Sequence, residues 1–262
     1  MNSRRSSRPP ISQTEAVRDF YDREVDRYLP ERYENPSCEQ LTYLLRKRIV
    51  LDMLRGEAGS LLDVGCGPAV LTPDILSMGF QVACVDLSHE MLRSARTRLP
   101  NSARPRASFS QGDVTRLHFR SSTFDCVACI GVLGYLLDSS GALAEVHRVL
   151  AGGGTAILQV SNRMCPSASL HHWVRRGKRF LTRRGEPYAF RLTGYRPRTF
   201  LRLLEDVGFS VERKAFYDFR MPFIEFLWPS LAIRLTRRFQ VLEESHLFGW
   251  LGAGLIVKVR KP

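Results

Sequence analysis

No apolar run in this chain of 262 residues reaches the roughly 18 residues that a membrane-spanning helix requires. A spanning protein is therefore not expected. The opening stretch MNSRRSSRPP is basic and leads into no apolar segment of the length that forms the core of a secretory signal, so residues 1–12 read as a disordered basic tail. Lysine is scarce, with five of the 39 basic residues; part of the formal net charge of +13 is thus an arginine-rich usage, and its distribution says more than its total. Acids are nearly missing from one segment. Between Asn162 and Arg198 stand Arg163, Arg175, Arg176, Lys178, Arg179, Arg183, Arg184, Arg191, Arg196 and Arg198 against a lone Glu186.

A disulfide framework is also lacking. The six cysteines are scattered through segments that read as buried strand or helix, which suits free thiols in a reducing cytoplasm. Cys126 and Cys129 form a CxxC, but they lie in the β-rich run FDCVACIGV. Residues three apart on a strand face opposite sides of the sheet, so no shared metal is expected there. There is no internal repeat. With 44% apolar and 25% charged residues, the composition is that of a soluble globular protein built around one large domain.

What is present alternates. Val17, Phe20, Tyr21, Val25 and Tyr28 recur at helical spacing, which predicts an amphipathic helix over 13–29 stopped by Pro30 and Pro36. A second helix is expected from Ser37, with Gln40 completing a capping box, to a stop at Gly56. Residues 13–56 thus read as cap helices before a core over 57–262. In that core SLLDV, FQVACVD, ASFSQGD, FDCVACI and GTAILQV alternate with helical segments, and their continuous apolar runs imply parallel strands covered on both faces. The fold class is a doubly wound α/β sandwich. A helix from Pro197 to a stop at Gly208, a strand FSVERKAF and a last strand GLIVKVR complete it. Two insertions, over 162–196 and 217–250, remain outside this scheme.

In a parallel sheet the ligand sits beyond the carboxyl ends of the strands. The loop GCGPA after the first strand should floor that site, with Gly65 and Gly67 allowing close backbone approach. A dinucleotide fingerprint would place a third glycine at Val70. Asp86 ends the second strand where an acid accepts from ribose hydroxyls, and Asp113 ends the third where it could accept from an adenine amine; each alone could be a turn former. Asp63 just before the loop disfavours a pyrophosphate and favours a ligand with a cationic amine.

The segments LLDVGCGPAVL, VACVDLSHEML, SFSQGDVTRLHF, SSTFDCVACIGVLGYLLD and EVHRVLAGGGTAILQV resemble, in order and spacing, the class I S-adenosylmethionine-dependent methyltransferases. The resemblance is greatest to the small-molecule group around the ubiquinone and menaquinone biosynthesis enzymes, and it spans residues 41–161. It implies a Rossmann-like, seven-stranded, mostly parallel sheet ending in an antiparallel hairpin, with S-adenosyl-L-methionine as cofactor. By that resemblance Asp63, Gly65, Cys66 and Gly67 would hold the cofactor's amino-acid portion, Asp86 and Leu87 its ribose and adenine, Asp113 and Val114 the adenine. Ile130 would form the rim near the methyl group, and Tyr21 and Tyr28 on the first helix would close over the donor. Ala69 stands where relatives often carry glycine, and Tyr135 where many carry a histidine, so an acid–base role does not transfer. The RxWK-type signatures of the quinone enzymes are absent, which disfavours quinone precursors.

Methyl transfer from a sulfonium calls for alignment, exclusion of water and, for some acceptors, removal of a proton. Tyr135, His171 and His172 are the candidate proton acceptors. The acceptor is expected to be a hydrophobic or lipid-like small molecule with an acidic group, received by arginines and aromatics of the two insertions. Peripheral contact with an anionic membrane is a companion expectation. An RNA methyltransferase, suggested by the basic insertion, and a cofactor-binding subunit without catalysis are the alternatives.

Overall fold

The computed structural model describes residues 11–166, 190–219, 221–245 and 248–262. The basic tail before residue 11 and most of the first insertion, with His171 and His172, lie outside the described residues.

Helix α1, Gln13–Leu29, opens with a complete capping box. The Ser12 hydroxyl accepts from the Glu15 N–H at 3.2 Å and the Glu15 carboxylate accepts from the Ser12 N–H at 2.9 Å. Ser12 therefore belongs to the helix rather than to the tail. As expected, the α-helix ends at Leu29, before Pro30; the chain goes on as a π-helical turn, Pro30–Glu34, where at a first helical position the missing donor of proline is not needed. Helix α2 runs Cys38–Met53 with Ser37 as its cap. Gln40 uses its side-chain amide on the Tyr33 carbonyl at 2.8 Å, so only the serine half of the expected capping box forms.

The core follows as β1 (Ser60–Val64), α3 (Thr72–Ser77), β2 (Gln81–Asp86), α4 (His89–Arg98), β3 (Ala107–Gln111), β4 (Phe124–Cys129), α5 (Ser140–Val149) and β5 (Leu150–Ser161). Then come α6 (Pro197–Val207), β6 (Ser210–Tyr217), α7 (Pro222–Leu227), α8 (Pro229–Phe239) and β7 (Gly254–Arg260). Seven strands form one sheet in the order β3-β2-β1-β4-β5-β7-β6. Only β7 is antiparallel to its neighbours, β5 and β6.

Successive strand residues serve opposite faces. Leu61, Cys126, Ala128 and Ile157 pack under Ile49, Met53, Ile75 and Leu92 from α2, α3 and α4. Leu62, Val127, Cys129 and Leu158 pack under Leu143, Val146, Phe200 and Leu204 from α5 and α6. The two cysteines of the CxxC thus lie in different layers. All six are buried, and none is in a disulfide among the described residues. Strand order reverses between β1 and β4, which opens the crevice at the carboxyl ends of the strands where the site is built.

Candidate functional site

The glycine loop is fastened before any ligand is considered. The N–H groups of Gly65 and Cys66 both donate to the Val85 carbonyl, at 2.7 and 3.1 Å, tying the turn after β1 to the end of β2. Gly65 has a φ of 71°, and a Cβ there would lie 2.1 Å from a methyl of Val132. No other residue fits that place. Ala69, buried, also holds a positive φ, 56°, which explains why a glycine suits this position and shows that an alanine is tolerated.

Asp86 faces this loop. Its two carboxylate oxygens accept from the Gly67 N–H at 2.7 Å and the Ser88 N–H at 2.9 Å. Burial pushes its pKa up, and those backbone donors hold it down. Asp113 spends one oxygen on the N–H and hydroxyl of Thr115, at 2.8 and 2.9 Å, the turn-forming role that its residue type favours. It nonetheless lines the same cavity as Asp86, together with Gly65, Gly67, Leu87, Val114 and Ile130. The residues named from the sequence for the ribose, adenine and rim therefore meet in one place.

Asp63 sits beneath, 2% exposed. It borders a smaller cavity on the other side of the loop, with Cys66, Arg46, Lys47, Tyr28 and Tyr33. One carboxylate oxygen, Oδ2, is buried with no hydrogen-bond partner. Burial and then the nearby charge of Asp86 raise its pKa to about 7, against a hydrogen bond from Thr72. A buried carboxylate with an orphaned oxygen is completed by a cationic ligand.

Helix α1 closes the mouth. Tyr21 and Tyr28 line the main cavity, and the Tyr21 hydroxyl bonds that of Tyr135 across it. Phe190 packs edge-on against Phe20 and Tyr135, with centroids 5.3 and 5.6 Å away. At one end of α1 the Gln13 amide donates to the carbonyls of Tyr135 and Arg191 and accepts from the Arg191 N–H. Further along, Asp22 accepts from the Ser88 hydroxyl at 2.6 Å and the Glu90 N–H at 3.3 Å, a carboxylate at the N-terminus of α4. Burial raises the pKa of both Tyr21 and Tyr135, so neither phenol is suited to accept a proton near neutral pH.

Two arginines were missed by sequence reasoning. Arg46 on α2 lines both cavities, with its guanidinium 4.4 Å from the Tyr43 ring centroid. Burial disfavours its charge, but Tyr217, Tyr33 and Tyr43 around it more than offset that. Arg32 on the π turn stands 4.5 Å from the Tyr28 ring centroid and donates to the Tyr43 hydroxyl at 3.1 Å, while its Nη1 is buried without a partner. Helical spacing alone reads such residues as a solvated face.

S-adenosylmethionine carries an α-ammonium, an α-carboxylate, a ribose and an adenine. The orphaned Asp63 oxygen, the Arg46 guanidinium, the Asp86 carboxylate and the apolar walls Val114 and Leu87 are complementary to them, so the residues present fit the cofactor. Among the described residues no group of three or more His, Cys, Asp or Glu could hold a metal ion.

Residues 62–158 match the family model of a methyltransferase domain. The chain is 31% identical over 144 residues to the demethylmenaquinone methyltransferase of Leptospira interrogans, covering 53% of this chain and 57% of that protein. It is 31% identical over 128 residues to the eEF1A lysine and N-terminal methyltransferase of Mus musculus, covering 47% of this chain and 18% of that one. Among solved structures, the magnesium protoporphyrin IX methyltransferase of Synechocystis PCC 6803, with bound SAH, superposes with a TM-score of 0.65 at 16% identity over 96% of this chain and all of that one. The chain spans about half the length of the curated relatives it matches.

Proposed function

We propose that this chain, whose residues 62–158 match the family model of a methyltransferase domain, transfers a methyl group from S-adenosylmethionine to a small hydrophobic or lipid-like acceptor bearing an acidic group. The observation that carries the cofactor reading is the orphaned, buried Asp63 oxygen below a glycine turn already fastened to Asp86. When bound, the cofactor supplies a methyl group on a positively charged sulfur, activated for in-line displacement. Asp63 and Arg46 hold its amino-acid end, Asp86 and Leu87 its ribose, and Asp113 and Val114 its adenine. Ile130 sets the rim, while Cys66 contributes backbone and bulk to the turn.

Tyr21, Tyr28 and Tyr135 exclude water and shape the acceptor's approach. With both bonded phenols held protonated, an acceptor that arrives as an anion or a neutral amine needs no proton acceptor from them. The Arg32 guanidinium, beside the Tyr28 ring and with its Nη1 buried without a hydrogen-bond partner, favours the anion. The relative named for demethylmenaquinone supports a small-molecule acceptor, and the one named for eEF1A lysine is a reminder that the shared core does not choose it. Choice of acceptor rests on this chain's own cap.

An RNA acceptor is the second reading, carried by the ten basic residues between Asn162 and Arg198. A cell extract incubated with methyl-labelled cofactor and partitioned into lipid, small-molecule, protein and RNA fractions distinguishes the two. Label in an acidic, solvent-extractable molecule is expected; label confined to RNA overturns the acceptor reading. Binding of the cofactor with no label anywhere would make the chain a cofactor-binding subunit.

A further inference from the structure

The insertion between β6 and β7 carries a helix with a stripe of small residues inward and an apolar and basic side exposed. Helix α8 turns Ala232 and Thr236 inward, with Gln240 just beyond its end, all nearly fully buried. Of the large apolar residues here, Leu231 is 38% exposed and Leu227 and Trp228 just before the helix are 58% and 60% exposed, whereas Ile233, Leu235 and Phe239 are half-buried. On a helix of 3.6 residues per turn, Leu231, Arg234 and Arg238 share the exposed side turned away from the buried stripe, with Leu235 half-buried at its edge. Arg237 is exposed beside them.

The nearby acids are already engaged, Glu243 with Arg48 and Glu244 with Arg213. Arg234, Arg237 and Arg238 have no ion pair among the described residues. This face rises from the sheet end that holds the cavity, for β6 ends at Tyr217 opposite the first residue of β7, Gly254. Tyr217 reaches Arg46 of the site wall, and Asp218 accepts from Thr42 of α2 at 2.8 Å.

We infer that the α7–α8 face docks on an anionic bilayer. Exposed leucine and tryptophan beside arginines is the arrangement that enters the headgroup region, where apolar side chains insert and guanidiniums meet lipid phosphates. A second copy of this chain fits poorly, because a two-fold contact would set like arginines against each other in a molecule of formal charge +13. The inference goes beyond methyl transfer and is read without cofactor, so it stands or falls separately from the function proposed above.

The test is flotation of the full chain with phosphatidylcholine vesicles, with and without phosphatidylglycerol, at low and high salt. Binding only to the anionic vesicles, weakened by salt, is expected. Arg234→Ser with Arg238→Ser should reduce it about twenty-five-fold, at roughly fivefold per arginine. Leu231→Ser should reduce it at either salt concentration. Unchanged unfolding temperatures in these exposed-face variants establish that the fold is intact. No flotation with anionic vesicles, or equal flotation of the arginine pair variant, overturns the inference, as does a dimer dispersed by Leu231→Ser.

Discussion

Replacing Asp63 by asparagine should make the ligand-free protein more stable at alkaline pH and should weaken its hold on the cofactor. The carboxyl is fully enclosed and has a pKa of about 7 against an ordinary 3.8. Below the ordinary value both folded and unfolded chains carry the proton, and the group costs nothing. As pH rises towards 7 the unfolded chain ionises while the folded one keeps its proton, so stability falls; above 7 the loss is complete. The gap corresponds to about 4 kcal/mol, taking about 1.4 kcal/mol per pKa unit. Urea unfolding of wild type and Asp63→Asn from acid to alkaline pH should therefore give curves that agree in acid and diverge in favour of the variant by up to that amount. Cofactor binding should show the reverse linkage. An ammonium beside Asp63 requires the ionised form, so wild-type affinity should rise about tenfold per pH unit below 7 and level off above it, with proton release, while the variant's affinity stays flat. Parallel stability curves for the two proteins would refute the buried, protonated Asp63.

Gly65→Ala should cost about 2–4 kcal/mol, because it adds a left-handed alanine and a clash with Val132. Ala69→Gly should stay within about 1 kcal/mol of wild type, the relieved backbone offsetting the lost methyl; thermal unfolding reads both. Tyr135→Phe should lower methyl transfer less than about tenfold with an unchanged pH profile, since it removes a hydrogen bond and not a base; loss of the profile would make the phenol the proton acceptor. Asp22→Ala should cost about 1 kcal/mol and speed cofactor release by freeing α1 from α4, which stopped-flow fluorescence would detect.

The alternation of apolar runs made the parallel sheet legible, since strands covered on both faces must read as continuous hydrophobic segments. Asp86, the last residue of β2, and Asp113, in the turn just past β3, were legible for the same reason: once the strands are placed, their carboxyl ends share one edge. Arg46 was not, because it sits on α2 at the border between the buried Leu45, Ile49 and Val50 and the exposed Leu44 and Arg48. Only the approach of Tyr33 and Tyr217 from other elements, beside Tyr43 of its own helix, turns it into a site wall. The Tyr21–Tyr135 contact joins residues 114 positions apart, and no local pattern announces it. Pro30 marked the end of α1, but no local pattern announced the π-helical turn that follows it.

The central claim is that the glycine turn, Asp63 and Asp86 together form a site for S-adenosylmethionine. Calorimetry of the full chain with that molecule, with its demethylated product and with NAD tests it most directly, repeated on Asp86→Ala. Stoichiometric binding of the first two, none of NAD, and loss of affinity in the variant are predicted. Preference for NAD, or a variant that binds S-adenosylmethionine as well as the wild type does, would contradict the account.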